Sequence, residues 1–441
     1  MSEYPRKLYV EVTTRCNLRC AMCVKQAEGC CIEETDMEMS VFDSLLPALE
    51  YADALVLNGI GEPLLHAGIA DMVRKAKAMM PASAKVGFQS NGLLLTSALA
   101  EELLSSGLDT ICFSVDSLAS AALEVLHGGG HTQTLVETLR HCRAAADRCG
   151  RSQNSENPFE IGIEFVLMRD NARELPQVVR WSAQQGAAYC IVTHVLPYDA
   201  ATQRQSLFVA DTKEALEFFS EWKQKAADSG LDLAGYYALF RKFSRTPEEQ
   251  RLVDFVADMQ LAASEAGISL HLERLIENHL QDDASLQLRS DTEVVFAAAE
   301  EEARREGIRL VLPTLQALLH RQCEFVDEDG VFVTADGGVH PCYFLWHRYA
   351  CHLDGQKKQI YPRTFGNLAE QSMYTIWNST AYKQFRDDVL RYEYPDCSNC
   401  TLVPCDDITG ELGEFEMDCH GETVPCGHCP WCLGGVQCLR L

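Results

Sequence analysis

The sequence predicts an α/β protein whose first half is a parallel sheet of six strand–helix units. Short apolar runs alternate with amphipathic stretches over the first 200 residues. Each apolar run is followed by a polar, often glycine-bearing loop. The rhythm breaks near residue 211, giving way to long helical patterns and then to a cysteine-dense, helix-poor segment. The predicted units are therefore 1–210, 211–318 and 319–441. An open barrel and a doubly wound sheet share the first pattern, and periodicity does not separate them.

The candidate strands are 8–12, 54–58, 85–89, 110–114, 161–167 and 190–196, with helical patterns at 40–52, 69–79, 98–106, 135–148 and 172–185. Ser40, with Asp43 three residues on, has the spacing of an N-terminal capping box. The middle region reads as a helical bridge, with patterns at 212–229, 248–266 and 292–306. Each is followed by a glycine (Gly230, Gly267, Gly307) and a short alternating run, a weak internal repeat. His271, His279 and His320 read as packing or surface residues. A last helix is predicted at 372–390, with Ile376, Trp377 and Phe385 on its apolar face.

The 441 residues carry a net charge of −26 and are 47% hydrophobic. Such a balance disfavours nucleic-acid and membrane-surface binding, which need clustered Lys and Arg. The first residues have no apolar signal region, and no run of 18 apolar residues occurs, so a cytoplasmic protein without a membrane span is expected. Twenty cysteines in such a chain argue for metal or redox sites over disulfides. Cys112 and Cys190 sit in apolar runs as core thiols, and Cys142 and Cys149 on a predicted surface helix.

Cys16, Cys20 and Cys23 form C-x3-C-x2-C directly after the first strand. Three thiolates this close can each bind one iron of a four-iron cluster and leave the fourth iron open for chemistry. A zinc knot would want a fourth Cys or His at short spacing, and Cys30 and Cys31 are adjacent to one another and poorly placed. Five further motifs stand at strand ends: Gly59-Ile60-Gly61-Glu62-Pro63, Ser90-Asn91-Gly92, Ser114-Val115-Asp116-Ser117, Met168-Arg169-Asp170-Asn171 and Leu196-Pro197-Tyr198-Asp199. In a parallel sheet all of these lie on one face with the cysteines, the face that carries the active site in α/β folds.

On these residues the chain resembles the radical S-adenosylmethionine (radical SAM) enzymes. The resemblance implies a partial (β/α)6 TIM-like barrel and a [4Fe–4S] cluster on Cys16, Cys20 and Cys23 whose open iron chelates S-adenosylmethionine. It further implies that Gly59, Gly61 and Glu62 meet the methionyl group, that Ser90 and Asn91 line the pocket, and that Ser114, Asp116 and Leu196 contact ribose or adenine. The segment Cys323, 331–339 with Asp336-Gly337-Gly338, His340-Pro341-Cys342, Phe365-Gly366-Asn367-Leu368, the Trp377 helix and Cys397-x2-Cys400 resembles the SPASM extension, a small iron–sulfur domain. One or two auxiliary [4Fe–4S] clusters are implied. Eleven cysteines lie between Cys323 and Cys438. The assignment is Cys323, Cys342, Cys397 and Cys400 for one cluster and Cys419, Cys426, Cys429 and Cys438 for the other. Cys405 is a rival for one place, and Cys351 and Cys432 are spares. Zinc remains an alternative for Cys426-x2-Cys429.

The implied function is reductive cleavage of S-adenosylmethionine to a 5′-deoxyadenosyl radical, which abstracts hydrogen from a peptide, protein or metal-cofactor substrate. A reductant such as ferredoxin or flavodoxin would supply the electron. The tail from Asp418 to Cys438 resembles SPASM proteins that mature metalloenzymes, including the cofactor-modifying partners of tungsten aldehyde oxidoreductases. Peptide modification (thioether formation, epimerisation or formylglycine formation) is the alternative within the family. A non-catalytic iron–sulfur electron carrier is the alternative outside it.

Overall fold

The structure, a computed structural model, describes residues 2–27, 30–119, 132–240, 242–277, 283–353, 356–391, 424, 426–439 and 441. The strands are β1 (Lys7–Val10), β2 (Ala54–Val56), β3 (Lys85–Ser90), β4 (Thr110–Ser114), β5 (Glu160–Leu167), β6 (Tyr189–His194), β7 (Val209–Thr212), β8 (Arg309–Val311), β9 (Gln316–Ala317), β10 (Gly330–Val333), β11 (Gly338–His340), β12 (Tyr349–Leu353), β13 (Gln356–Ile360) and β14 (Gly366–Asn367). All six predicted barrel strands are present, within two residues of their expected ends. They pair in sequence order, each parallel to the next.

The sheet continues past both ends of this set. Its order is β14-β11-β10-β1-β2-β3-β4-β5-β6-β8. β8 adds in parallel to β6, and β10 adds in parallel to β1 with Lys7 opposite Gly330. One hydrogen-bonded surface thus runs through the barrel, the bridge and the cysteine-rich segment. Alternation along the strands separates two cores. Leu8, Val10, Phe88, Ile111, Phe113, Phe165, Cys190 and Val192 face outward onto helices. Tyr9, Val56, Cys112, Tyr189, Ile191 and Phe332 face inward, where Tyr343 and Trp346 fill the lumen.

Four local expectations are corrected. Ser40 caps nothing: it lies inside the helix Met39–Asp43, whose cap position is Glu38. The 40–52 pattern divides into Met39–Asp43 and Leu46–Leu49, because Pro47 has no N–H to donate back across a helical turn. The 372–390 pattern likewise divides into Met373–Trp377 and Thr380–Arg391. Arg386 donates to the Trp377 carbonyl at 3.0 Å and lies over that indole at 3.7 Å, which satisfies the break. Finally, Cys142 is fully buried, because its helix turns that side toward the outer core. Cys112 and Cys190 are core thiols as expected.

The repeated glycines Gly230, Gly267 and Gly307 all have φ near +70° and end helices. Only the last is followed by a strand, since only that segment reaches a free sheet edge, at β6. The middle region has its own core around Phe219, Val256 and Met259. Among the described residues no helix is long and apolar enough to cross a membrane.

The C-terminal tail closes the lumen. The Gly435 carbonyl accepts from His194 N–H at 3.1 Å, and Gln437 N–H donates to Thr193 Oγ1 at 3.0 Å. Cys438 and Leu441 then border a cavity at the N-terminal ends of β1, β4, β5 and β6, beside Lys7, Thr110, Glu160 and Tyr189.

Candidate active site

The cysteine loop leaves β1 at the end of the sheet where all parallel strands finish. Backbone contacts fix it before any ligand is considered. Thr14 N–H donates to Thr35 O at 2.9 Å, Lys25 Nζ to Thr14 O at 2.8 Å, and the Arg15 guanidinium pairs with Asp36. The loop after β2 packs directly onto it: Glu62 N–H donates to Arg15 O at 2.7 Å. A side chain at Gly61 would place its first carbon 2.3 Å from Thr13 O and 2.5 Å from Arg15 O. Gly61 is therefore required by the approach of two backbones. Gly61→Ala is expected to force these loops apart, costing about 1–3 kcal/mol of stability. Denaturant melts would show the loss, and iron content would fall with it.

The three thiols share one environment. Burial pushes the Cys20 thiol up to about 12, helped by the neighbouring Cys23, Asp116 and Cys16. Cys16 and Cys23 are raised as well, burial again being the main cause. Three half-buried thiols that disfavour one another's ionisation are poor isolated nucleophiles. They become thiolates together only when a cation supplies the compensating charge. Their donor chemistry fits a three-cysteine iron–sulfur cluster.

The other expected contacts fall into two groups. Glu62 is buried, and its carboxylate accepts from Ser90 Oγ at 2.7 Å, Leu64 N–H at 3.1 Å and Asn91 N–H at 2.8 Å. Burial nonetheless raises its pKa. Glu62 and Ser90 thus act on one another, bracing the loops after β2 and β3. Asn91 reaches across to the cysteine loop, donating from Nδ2 to Asn17 Oδ1 at 2.9 Å. Gly59 packs against Glu11, whose Cγ lies 2.4 Å from where a side chain would begin. Ser114, Asp116 and Leu196 stand at the ends of β4 and β6. Asp116 accepts from Val166 N–H at 2.7 Å and lies near enough to Cys20 to raise it.

Two acids in the barrel, Glu11 buried and Glu164 half-buried, were not singled out from the sequence. Glu11 ties the mouth together. It accepts from Ile60 N–H at 3.1 Å and Ala335 N–H at 3.3 Å, and its carboxylate lies 3.0 Å from His347 Nε2. His347 belongs to the cysteine-rich segment, so this contact joins that segment to the barrel. Glu164 lies on the inward face of β5, at the end of a hydrogen-bonded chain from Tyr343 through Asn58 and Gln89. Burial first, and Asp116 second, push its carboxyl up to about 8. Both acids interrupt apolar strands, which was the available signal.

Cys397, Cys400, Cys405 and Cys419 lie outside the described residues. The remaining C-terminal cysteines are grouped differently from the expected assignment. Cys323, Cys342, Cys426, Cys429 and Cys432 border one apolar cavity, with Phe325, Phe344 and Trp431 in its wall. Thiol hydrogen bonds link Cys432 to both Cys323 and Cys429. They lower Cys429 and raise Cys432. Cys432, expected as a spare, borders this cavity, and Cys438, expected as a ligand, does not. Cys438 lies in the barrel lumen, where Trp431 Nε1 donates to its Sγ at 3.0 Å. Among the described residues no three Cys, His, Asp or Glu surround a single ion. Five soft sulfur donors on one dry cavity fit an iron–sulfur cluster by their chemistry. Cys432→Ser is expected to lower iron and sulfide content, while Cys438→Ser leaves both unchanged; analysis of both variants in a Cys16→Ala/Cys20→Ala/Cys23→Ala background decides it.

Residues 10–151 match the radical SAM superfamily, and residues 323–401 match SPASM, an iron–sulfur cluster-binding domain. The chain is 26% identical over 434 residues to the tungsten-containing aldehyde ferredoxin oxidoreductase cofactor-modifying protein of Pyrococcus furiosus, covering 98% of this chain and 96% of that one. It is 31% identical over 134 residues to GTP 3′,8-cyclase of Lactiplantibacillus plantarum, covering 30% and 39%. Among solved structures, Streptococcus suis SuiB bound to S-adenosylmethionine shares the fold, with a TM-score of 0.50 and 12% identity over 90% of this chain and 72% of that one.

Proposed function

We propose, from the premise that this chain is a radical SAM superfamily enzyme carrying a SPASM iron–sulfur domain, that it modifies an organic metal-binding cofactor during maturation of a metalloenzyme. The observation that carries this reading is similarity along nearly the whole length of both chains to a cofactor-modifying protein for a tungsten oxidoreductase. Cys16, Cys20 and Cys23 would hold the [4Fe–4S] cluster and leave an iron for S-adenosylmethionine. When bound, that pair supplies an electron that splits the sulfonium into methionine and a carbon-centred radical able to abstract hydrogen.

The protein's own residues set the conditions for this chemistry. Gly59 and Gly61, packed against Glu11 and the cysteine loop, set the backbone after β2 beside the methionyl group, while Glu62, Ser90 and Asn91 hold that loop rigid. Asp116, Ser114 and Leu196 border the ribose and adenine side. The Tyr343 and Trp346 rings and the inserted tail exclude water from the lumen beneath, which protects a reactive radical from side reactions. The cavity of Cys323, Cys342, Cys426, Cys429 and Cys432 would carry an auxiliary cluster, and a ferredoxin or flavodoxin in the cytoplasm would supply electrons.

The test is anaerobic turnover of reconstituted protein with S-adenosylmethionine and reductant, with and without the organic cofactor extracted from a tungsten aldehyde oxidoreductase made in cells that lack this modifying protein. Cofactor-dependent 5′-deoxyadenosine release and a mass change in the cofactor are expected. Equal release with and without it, and an unchanged cofactor, would rule the reading out.

A further inference from the structure

We infer that the outer flank of the barrel holds a second small-molecule site, separate from the sulfonium pocket, for a phosphorylated heterocycle of mononucleotide size. Its starting point is the register of β6. Tyr189 and Ile191 face the lumen, whereas Cys190 and Val192 face the outer core. His194 has the outward parity of Cys190 and Val192, so it points out of the lumen at the C-terminal end of β6. There it borders a cavity of about 500 Å³. Its other walls come from the β7 region, the bridge helix Leu272–Glu277, β12 and the C-terminal tail. That volume suits a mononucleotide-sized molecule.

The lining states what such a molecule must carry. His194 is 3% exposed, and its Nε2 lies 2.9 Å from the Thr314 carbonyl, so Nε2 bears the proton. Nδ1 is then a lone-pair acceptor, and among the described residues it has no hydrogen-bond partner. Burial holds this imidazole down at about 4, so it stays neutral near pH 7 and Nδ1 keeps asking for a donor. A buried orphan acceptor is costly, and a ring N–H or hydroxyl would satisfy it. Phe208, 5.5 Å from the imidazole between ring centres, and Leu433 offer apolar walls to a flat ring.

The charged end is equally specified. The cavity's one carboxylate among the described lining residues, Asp211, is occupied by Arg274 through two hydrogen bonds of 2.8 and 2.9 Å. Arg204 stands exposed at the rim and makes no ion pair among the described residues. His352 and His428 stand alongside, and Arg321 donates to His428 at 2.8 Å. On a chain of net charge −26, this is a local site for an anion. A guanidinium at the rim with a neutral acceptor at depth selects a phosphate joined to a ring that can donate.

Equilibrium dialysis of the full-length, cluster-loaded protein tests this with guanosine 5′-monophosphate, guanosine and inorganic phosphate. The monophosphate is expected to bind at micromolar concentration, and guanosine and phosphate each at least tenfold more weakly. Arg204→Gln, an exposed change that leaves folding intact, should weaken the monophosphate at least tenfold, and His194→Leu by a similar factor. Saturating S-adenosylmethionine should not displace it. Absence of binding below millimolar concentration, affinity unchanged by Arg204→Gln, or displacement by S-adenosylmethionine would each overturn the proposal. No step needs turnover, so failure here leaves the proposed function standing, and the reverse also holds.

Discussion

Replacing Cys16, Cys20 and Cys23 together by alanine is expected to remove about four irons per chain and to abolish 5′-deoxyadenosine formation, a loss of at least ~10⁴-fold in rate. The size follows from the chemistry. None of the remaining groups at the strand ends can deliver an electron; those described brace the loops around the cysteines. Glu62, for example, has three hydrogen bonds within the protein. The fold should survive, because the loop is held by Thr14, Lys25 and Asp36 through contacts that do not involve sulfur. The auxiliary iron should survive too, since the Cys323 cavity is built by separate residues. Measured iron, sulfide and product on the purified variant decide the matter. Retention of all iron, or of product formation, would show that the first cluster lies elsewhere.

The second large effect is on stability. Glu164 is half-buried on the lumen face of β5, and its carboxyl stays protonated up to about pH 8 in the folded protein. In the unfolded chain it ionises near the ordinary carboxylate value. Between those two values the folded state binds the extra proton, so stability falls as pH rises. The contribution is complete below the unfolded value and lost as pH passes through about 8, a change on the order of 5 kcal/mol. Glu164→Gln keeps an acceptor for Gln89 and cannot ionise. The wild type is expected to lose denaturant stability from pH 5 to pH 8, and the variant to lose much less and to exceed the wild type at pH 8. Parallel pH slopes for the two proteins would mean that Glu164 is ionised in the folded state.

Much of the barrel was legible because its evidence is local. Apolar runs, their flanking helices and the polar loops at strand ends are contiguous in sequence, and their common face follows from parallel pairing. The cysteine triplet was legible for the same reason. Local disagreements trace to equally local chemistry that the pattern ignores, such as Pro47 dividing a helix. What could not be seen was distance closure. Nothing in the spacing of Cys323 and Cys432 announces that their thiols share a cavity, and nothing near Cys438 announces that the tail carries it into the lumen. The addition of β10 to β1 is also non-local, since edge pairing depends on which strand edges the tertiary fold leaves free. Glu11 and Glu164 show a third case. A charge in an apolar strand signals something, but its partners (His347, Ala335, Gln89) are assembled from distant segments.

The most direct test is low-temperature electron paramagnetic resonance of the reduced protein before and after S-adenosylmethionine is added, in a variant with Cys323, Cys342, Cys426, Cys429 and Cys432 all replaced by alanine. With an open iron on the Cys16/Cys20/Cys23 cluster, the signal of the reduced cluster should change its g-values when the sulfonium compound coordinates. An unchanged spectrum from an intact, fully reduced cluster would mean that all four irons already have protein ligands, and the account would be wrong.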